Sequence, residues 1–352
     1  MGNRGERSEP LIDFAENPTR TTSASKPWTR ILAPYKESDL RRSVLQMLTS
    51  AVPFALMWYA MLRSLDHGYW ITLLLAVPAG GFLLRLFILQ HDCGHGSFFK
   101  SPVANDTLGS FLGVLTLVPY HYWRKTHALH HATSGNLDRR GAGDVDTLTV
   151  KEYLSLPKRK RLAYRLYRHP FILFGIGPAF YFIVKQRFPP GLARSWKKEW
   201  ASIHWTNLAI LAVVAIMWKT IGIQRFLMVE LPIITVASSI GVWLFYVQHQ
   251  FEHTYWQHSS GWDFHTAALR GSSYYDLPKI LRWFTGNIGL HHIHHLCSRI
   301  PNYRLQECFN ANRELQQVTR LTLRQSLTCI SLTLWDEEQQ KLVRFRSLQV
   351  AE

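Results

Sequence analysis

The sequence is poor in the residues that mark disulfide scaffolds, zinc ribbons and nucleotide-binding domains. It contains four cysteines, and no two of them form a Cys-x-x-Cys pair. This pattern favours free thiols in a reducing compartment over a disulfide framework. The sequence also lacks a flavin or dinucleotide fingerprint, a His-Pro-Gly-Gly signature of a fused haem domain, and internal repeats.

Acidic residues are also scarce, with 24 Asp and Glu against 40 Lys and Arg and a net charge of +16. The basic residues are scattered and no nucleic-acid motif is present, so we do not expect a nucleic-acid partner. Residues 1–30 are polar and lack the apolar core of a secretory signal. We predict a disordered cytoplasmic N-terminal tail over residues 1–40.

Four long apolar runs interrupt this basic chain, near residues 43–62, 69–89, 202–220 and 226–247. A helix needs about 20 mostly apolar residues to cross a bilayer. The links within the first and second pairs are short, which predicts two helical hairpins with both termini and residues 92–201 on one side. The excess of Lys and Arg assigns that side to the cytoplasm, and the positive charge also favours anionic lipid headgroups.

We therefore predict an all-α, multi-pass membrane protein with four transmembrane helices. The membrane domain is expected over residues 41–310, followed by a cytoplasmic C-terminal tail over residues 311–352 that holds a small β element or a docking surface. Two shorter apolar segments, residues 108–120 and 171–184, allow a six-span alternative, but their length is more typical of interfacial or buried helices. A soluble protein with buried helices is a further alternative.

Histidine is the residue that the chain has in unusual concentration. Nine of its 17 histidines lie in three clusters: His91 and His95; His127, His130 and His131; and His291, His292, His294 and His295. Protonated imidazoles repel one another, whereas neutral rings can each give a lone pair to a bound cation. There are enough rings for two metal ions. A structural zinc site is a poorer explanation, since zinc takes four ligands.

The spacing within the clusters places the rings on shared helix faces. Positions i, i+3 and i+4 of a helix are neighbours, so His292 is expected to point away as an outer histidine. His249, at the end of the fourth run, is a ninth candidate ligand, and His253 is a less favoured one. Asp92 and Asn287 are candidates for orienting a ligand ring. Asp144 and Asp146 fit either that role or a role in a turn.

The clusters resemble the three histidine boxes of membrane fatty acid desaturases, in the segments His91-Asp92-Cys93-Gly94-His95, His127-Ala128-Leu129-His130-His131 and His291-His292-Ile293-His294-His295. Gly286-Asn287-Ile288-Gly289-Leu290 and the pair Gln248-His249 also resemble the acyl-lipid desaturase pattern. The resemblance covers roughly residues 40–310 and is closest to the bacterial delta-12 (omega-6) enzymes.

The resemblance implies two irons held by eight box histidines and by His249 in a cytoplasmic helical cap. It implies O2-dependent insertion of a cis double bond into a membrane acyl chain, linked to a lipid, coenzyme A or carrier protein. The expected location is the bacterial inner membrane. Because the chain has no electron-carrying signature of its own, a ferredoxin-like donor is also expected.

Two other functions remain open from the residues. A hydroxylase, or a carotenoid ketolase or hydroxylase, of the same superfamily would share the histidine boxes. A metal transporter or metal-storage protein would need ionisable residues deep inside the spans. The ionisable residues of the apolar runs, Arg85, His204, Lys219 and Glu230, all lie near the ends of the runs.

Overall fold

A computed structural model describes residues 28–141, 143–189 and 191–350, and most of them are helical. The α-helices are α1 Trp28–Leu32, α2 Leu40–Ser64, α3 Tyr69–Gly94, α4 Pro102–Leu115, α5 Tyr120–Thr133, α6 Val150–Ser155, α7 Lys158–Tyr167, α8 Gly177–Ile183, α9 Lys197–Ile221, α10 Ile223–His249, α11 Phe264–Arg270, α12 Lys279–Phe284, α13 His291–Leu296, α14 Asn302–Ala311 and α15 Leu323–Ser326. A π-helical turn, Phe171–Ile176, precedes α8.

Helices α2, α3, α9 and α10 are long and apolar enough to cross a membrane, so the prediction of an all-α protein with four spans is confirmed. They contain 25 to 27 residues, or about 40 Å at 1.5 Å per residue. The hydrocarbon core is about 30 Å thick. One end of α3 and of α10 therefore reaches beyond the apolar layer, and these ends carry His91 and His249.

The two shorter apolar segments do not add spans. The first forms most of α4, and the second forms the π-helical turn and α8. Among the described residues, neither belongs to a helix long enough to cross a bilayer. The turn and α8 both pack against α10, as expected for an interfacial element beside a span.

Helix α3 is the centre of the membrane region, where it packs against α2, α4 and α10. Its contact with α10 is close because Gly80 has no side chain. A Cβ at this position would lie 2.6 Å from Val236 Cγ1 and 3.1 Å from the backbone nitrogen of Ala237. Small residues allow helices in membranes to approach in this way.

Short strands tie distant parts of the chain together. The strands are β1 Leu148–Thr149, β2 Tyr274–Asp276, β3 Arg320–Thr322, β4 Leu334–Asp336 and β5 Lys341–Val343. β4 lies between β1, with which it pairs in parallel (Leu148 opposite Leu334), and β5, with which it pairs antiparallel (Leu334 opposite Val343). β2 and β3 pair in parallel, with Tyr274 opposite Arg320.

Residues in both terminal segments contribute to the folded domain. At the C-terminal end, Leu334 and Trp335 are buried in the sheet with β1, so this segment is part of the folded domain because it buries apolar surface there. Residues 1–27 of the predicted N-terminal tail lie outside the described residues. Residues 28–39 are folded, because Trp28 and Leu32 pack into a buried cluster with Ile293.

We expect Gly80→Ala to lower the thermal unfolding temperature of the purified protein, because the added methyl group has no space between α3 and α10. Overpacking of this kind costs about 1–3 kcal/mol. Gly241→Ala in α10 is the matched control, since its Cβ would make an ordinary 3.5 Å contact with Leu84 Cδ1. Equal unfolding temperatures for the two variants would contradict the close helix contact.

Candidate metal centre

Four helices bring nine histidines into two neighbouring groups. The end of α3 supplies two of them, α5 and α13 supply three each, and the last residue of α10 supplies one. Within each group, one nitrogen atom of every ring lies within 4.8 Å of all the others. The first group contains five histidines, His91, His95, His127, His131 and His294, and the second contains four, His130, His249, His291 and His295.

In both His-x-x-His-His segments, the first and last histidines belong to one group and the middle histidine belongs to the other. In α5, His127 and His131 belong to the first group and His130 to the second. In α13 the assignment is reversed, with positions i and i+4 in the second group and position i+3 in the first. Residues i and i+4 lie one above the other on a helix, and residue i+3 is rotated to the side. Each short helix therefore contributes to both groups.

The Nε2 atoms of the second group face one another at short range. The distance from His249 Nε2 is 3.2 Å to His130 Nε2 and 2.9 Å to His291 Nε2. His295 Nε2 is 3.1 Å from His291 Nε2. Nitrogen ligands about 2.1 Å from one ion lie about 3.0–3.4 Å from each other. The ring spacing therefore fits a common metal ion.

The outward nitrogens of two rings in the second group have fixed partners. His130 Nδ1 is 2.5 Å from Asp144 Oδ1, and His249 Nδ1 donates to the backbone oxygen of Gly271 at 3.1 Å. These contacts hold the proton on Nδ1 and leave the Nε2 lone pair free for a cation. Both Asp144 and Gly271 come from loops outside the four spans.

Of the two candidates for orienting a ring, Asp92 makes the closer approach. Its Oδ1 is 3.4 Å from His91 Nδ1, and its Oδ2 accepts 2.8 Å hydrogen bonds from the backbone and side-chain amides of Asn302. Asn287 instead donates to the backbone oxygen of Asn302 at 3.4 Å. Asn287 has a φ of +56°, which an asparagine tolerates better than most residues, and its position is that of a turn residue.

The other histidines singled out in the sequence lie outside both groups. His292 donates from Nε2 to the backbone oxygen of Leu315 at 2.9 Å, and burial lowers its pKa to about 4. His253 is exposed. His258 lies at the surface between Asp138 and Glu337, and hydrogen bonds to these carboxylates raise its pKa.

Burial lowers the pKa of most of the clustered rings. Loss of water, followed by repulsion from neighbouring cationic groups, holds the pKa well below the ordinary value for the rings that lie outside the spans and have a resolved shift, namely His95, His127, His131, His291, His294 and His295. Neutral imidazole is the form that binds metal.

Unpartnered ring nitrogens further support a metal in the first group. His95 Nε2 and His294 Nε2 are buried without a hydrogen-bond partner. A buried polar nitrogen without a partner costs free energy, and an ion bound within the first group would satisfy these two. The donor sets, five and four imidazoles, suit transition metals such as iron, zinc or copper.

Several contributors to the site were missed by reasoning from the sequence. Gln248 donates from Nε2 to the backbone oxygen of Ile288 at 2.9 Å and thereby ties the end of α10 to the segment before α13. Gly271 and Asn302 carry no signal for their roles, since they act over 22 and 210 residues of separation. Asp144 was left open between two roles, and its contact with His130 supports the ring-holding one.

Comparison with known proteins identifies the group to which this site belongs. The family model described as "Fatty acid desaturase" matches residues 68–326. A curated "Fatty acid desaturase" of Bacillus subtilis (strain 168) is 46% identical over 324 residues, which is 92% of each chain. The chain belongs to the fatty acid desaturase family. It is accordingly an oxidoreductase, and both histidine groups lie within the matched residues.

More distant relatives carry more specific names. The desaturase is 28% identical over 302 residues to "Omega-3 fatty acid desaturase, endoplasmic reticulum" of Vigna radiata var. radiata, covering 78% of this chain and 76% of the relative. It is 26% identical over 313 residues to "sn-1 acyl-lipid omega-3 desaturase (ferredoxin)" of Synechocystis sp., covering 82% and 84%. The predicted family is confirmed, and membership argues against a metal transporter or storage protein.

We expect Asp144→Asn to weaken metal retention by the desaturase, because it removes the negative charge that holds the His130 ring. Losing such a contact typically costs about 10–100-fold in metal affinity. Metal content after dialysis against a chelator series gives the measurement. Asp146→Asn is the control, since that side chain is exposed two residues further on. Identical metal retention in both variants would argue against a role for Asp144.

Proposed function

We propose that the desaturase holds two iron ions and uses O2 to insert a cis double bond into a membrane acyl chain. The observation that carries the proposal is the convergence of nine imidazoles, from four helices, in two groups of five and four. The bound irons would supply the oxidising power for removing two hydrogens from adjacent methylenes. The remaining chemistry described below belongs to the protein's own residues.

The proposed first iron site is formed by His91, His95, His127, His131 and His294, and the proposed second by His130, His249, His291 and His295. Asp144 keeps the His130 ring, and the backbone oxygen of Gly271 keeps the His249 ring, in the tautomer that offers Nε2 to the metal. The second group is buried throughout, whereas three rings of the first are half-buried. This burial would exclude bulk water from the second site.

We further propose that the histidine groups lie on the cytoplasmic side of a bacterial inner membrane. No span separates the first two boxes, and two spans, α9 and α10, separate the second box from the third. All three boxes therefore lie on one side of the bilayer, at the ends of α3 and α10 where the histidine groups gather. The excess of Lys and Arg in the segments at this end supports the cytoplasmic assignment. An acyl chain in the adjacent leaflet would then need only a short path to the site.

The half-buried edge of the first group supports a docking position for an electron donor. His95, His127 and His131 form this edge. The Arg299 guanidinium lies 3.6 Å from the point that a Cβ would occupy at Gly96, and Arg124 is exposed on α5. Cations beside the accessible edge favour an acidic partner, since complementary charge speeds association. We propose a ferredoxin-like donor, in line with the name of the cyanobacterial relative.

His130→Ala is expected to abolish the formation of unsaturated product, because it removes one of the four ligands of the second site. The variant should still insert into the membrane, since the four spans are unchanged. Lipid analysis of a host that expresses the protein measures product, and membrane fractionation with an antibody measures insertion. His253→Ala, at an exposed ring outside both groups, should keep full activity. Retained activity in His130→Ala would remove His130 from the proposed ligand set.

The double-bond position and the acyl carrier require direct product analysis. We propose expression in a host that makes only monounsaturated lipids, followed by mass spectrometric location of any new double bond in each lipid class. The sequence resemblance predicts a delta-12 (omega-6) product, whereas several distant relatives are named as omega-3 enzymes. A second double bond six carbons from the methyl end would support delta-12 (omega-6) specificity.

The same experiment tests the alternatives from within the superfamily. If the product were a hydroxylated acyl chain, or an oxygenated carotenoid in a carotenoid-producing host, the reaction at the histidine site would be oxygen insertion and not desaturation. Purified protein with about two irons per chain supports the proposed centre. Stoichiometric zinc in a protein that nevertheless makes no product would overturn it.

A further inference from the structure

Helix α7 presents cations and large apolar side chains on the same exposed side. Lys158, Arg159 and Lys160 are exposed, and the leucines one turn apart in the same helix, Leu162 and Leu166, are 59% and 51% exposed. None of the three cations makes an ion pair with a described residue. A buried helix would not expose three cations, and a helix that faces only water would not expose two leucines one turn apart.

The opposite face of α7 fixes its orientation on the protein. Tyr164 is buried, and its hydroxyl donates to the backbone oxygen of Thr333 at 2.7 Å and accepts from the backbone nitrogen of Leu148 at 3.2 Å. In a helix, Leu162 and Leu166 are each rotated by about 200° from Tyr164. Lys158 and Arg159, about 120° and 140° from Tyr164, point outward with the leucines because Tyr164 is held inward. Lys160 lies about 40° from Tyr164 and is exposed at the first turn of the helix.

Contacts with α10 fix the depth of α7 relative to the membrane. Arg168, directly after α7, donates to Tyr246 Oη at 3.1 Å and to Gln250 Oε1 at 3.2 Å. Further along the chain, the backbone oxygen of Gly175 accepts from Ser239 Oγ at 3.4 Å. Residues 246–250 are the end of the span, and Ser239 lies about 10 Å deeper at 1.5 Å per residue. The chain therefore descends into the bilayer directly after α7.

The descending segment has the surface expected of a lipid contact. Phe171, Ile176 and Phe180 are each more than half exposed, while the segment packs against α10 on its other side. Exposed aromatic and branched side chains at this depth face acyl chains. The exposed leucines of α7 continue this apolar surface upward, to the level where headgroups meet the hydrocarbon.

We propose that α7 is a binding surface for anionic phospholipids, in which Lys158, Arg159 and Lys160 contact headgroup phosphates and Leu162 and Leu166 insert beside the acyl chains. Helices with basic residues beside exposed apolar ones bind membrane interfaces in this way. Each basic residue near an anionic surface strengthens the attraction by a factor of about five at physiological ionic strength. The proposal concerns a lipid surface and does not depend on the reaction that the protein catalyses.

The first experiment compares the full-length protein in nanodiscs of phosphatidylcholine with and without phosphatidylglycerol. The anionic lipid is expected to raise the unfolding temperature of the wild-type protein, and high salt should remove the increase because it screens the charges. The triple variant Lys158→Gln, Arg159→Gln, Lys160→Gln should lose at least half of that increase. The variant Lys158→Arg, Arg159→Lys, Lys160→Arg keeps the charge and should respond like the wild type.

Two results of this experiment would overturn the proposal. In the first, the glutamine variant gains as much stability from phosphatidylglycerol as the wild type. In the second, the charge-preserving variant loses the response together with the glutamine variant, which would assign the effect to altered helix packing.

A second experiment locates Leu162 directly. A spin label on Leu162→Cys in phosphatidylglycerol nanodiscs should be relaxed more strongly by lipid-soluble O2 than by a water-soluble nickel chelate. The protein without the added cysteine gives the background, since three of its cysteines are buried and Cys297 is half-buried. A label that stays in water and becomes protected only on addition of an acidic electron-transfer protein would overturn the lipid assignment in favour of a protein partner.

Discussion

The structure depends on the gathering of nine imidazoles, which would be unfavourable without a cation between them. Rings in which facing nitrogens lie about 3 Å apart lose water and gain few hydrogen bonds from one another. The segments that supply them are separated by up to about two hundred residues of sequence. A metal ion bound in each group would convert this cost into coordination energy and would thereby couple metal binding to the folding of the domain.

The surroundings of the site use buried polar contacts to hold these distant segments in place. Arg168 is buried and joins α10 to the C-terminal segment through Tyr246 and the backbone oxygen of Leu332. Gln248 joins α10 to the segment before α13, and Asn302 joins α14 to Asp92. Apart from Arg168 Nε, which is buried without a hydrogen-bond partner, these donors are paired, and paired buried polar groups stabilise a unique arrangement. The spans supply the platform, and these contacts set the position of the rings on it.

The spans and the identity of the clustered histidines could be predicted from the sequence, because both leave local signals. An apolar run of 20 residues has a length that the bilayer requires, and histidines at i, i+3 and i+4 share a helix face. The division of the second and third boxes between the two groups was not predicted, since it depends on how α3, α5 and α13 are placed in space. The same holds for Asp144, which only tertiary contact brings to His130. Asn287 was a candidate for orienting a ligand ring because it lies close to His291 in the sequence. In the structure it occupies a turn with a left-handed backbone, a conformation that asparagine tolerates well.

The division of the boxes has a consequence for how the proposed centre assembles. In α5, the pair His127 and His131 belongs to one group, while His130 between them belongs to the other. In α13 the pairing is reversed, with two rings in the second group and one in the first. Each of these two helical turns therefore supplies rings to both sites. Once one ion has fixed these turns, the rings for the second ion are already aimed and little chain entropy remains to be lost. Loading of the two proposed sites would then be cooperative, and a chain that holds a single ion would be a minor species.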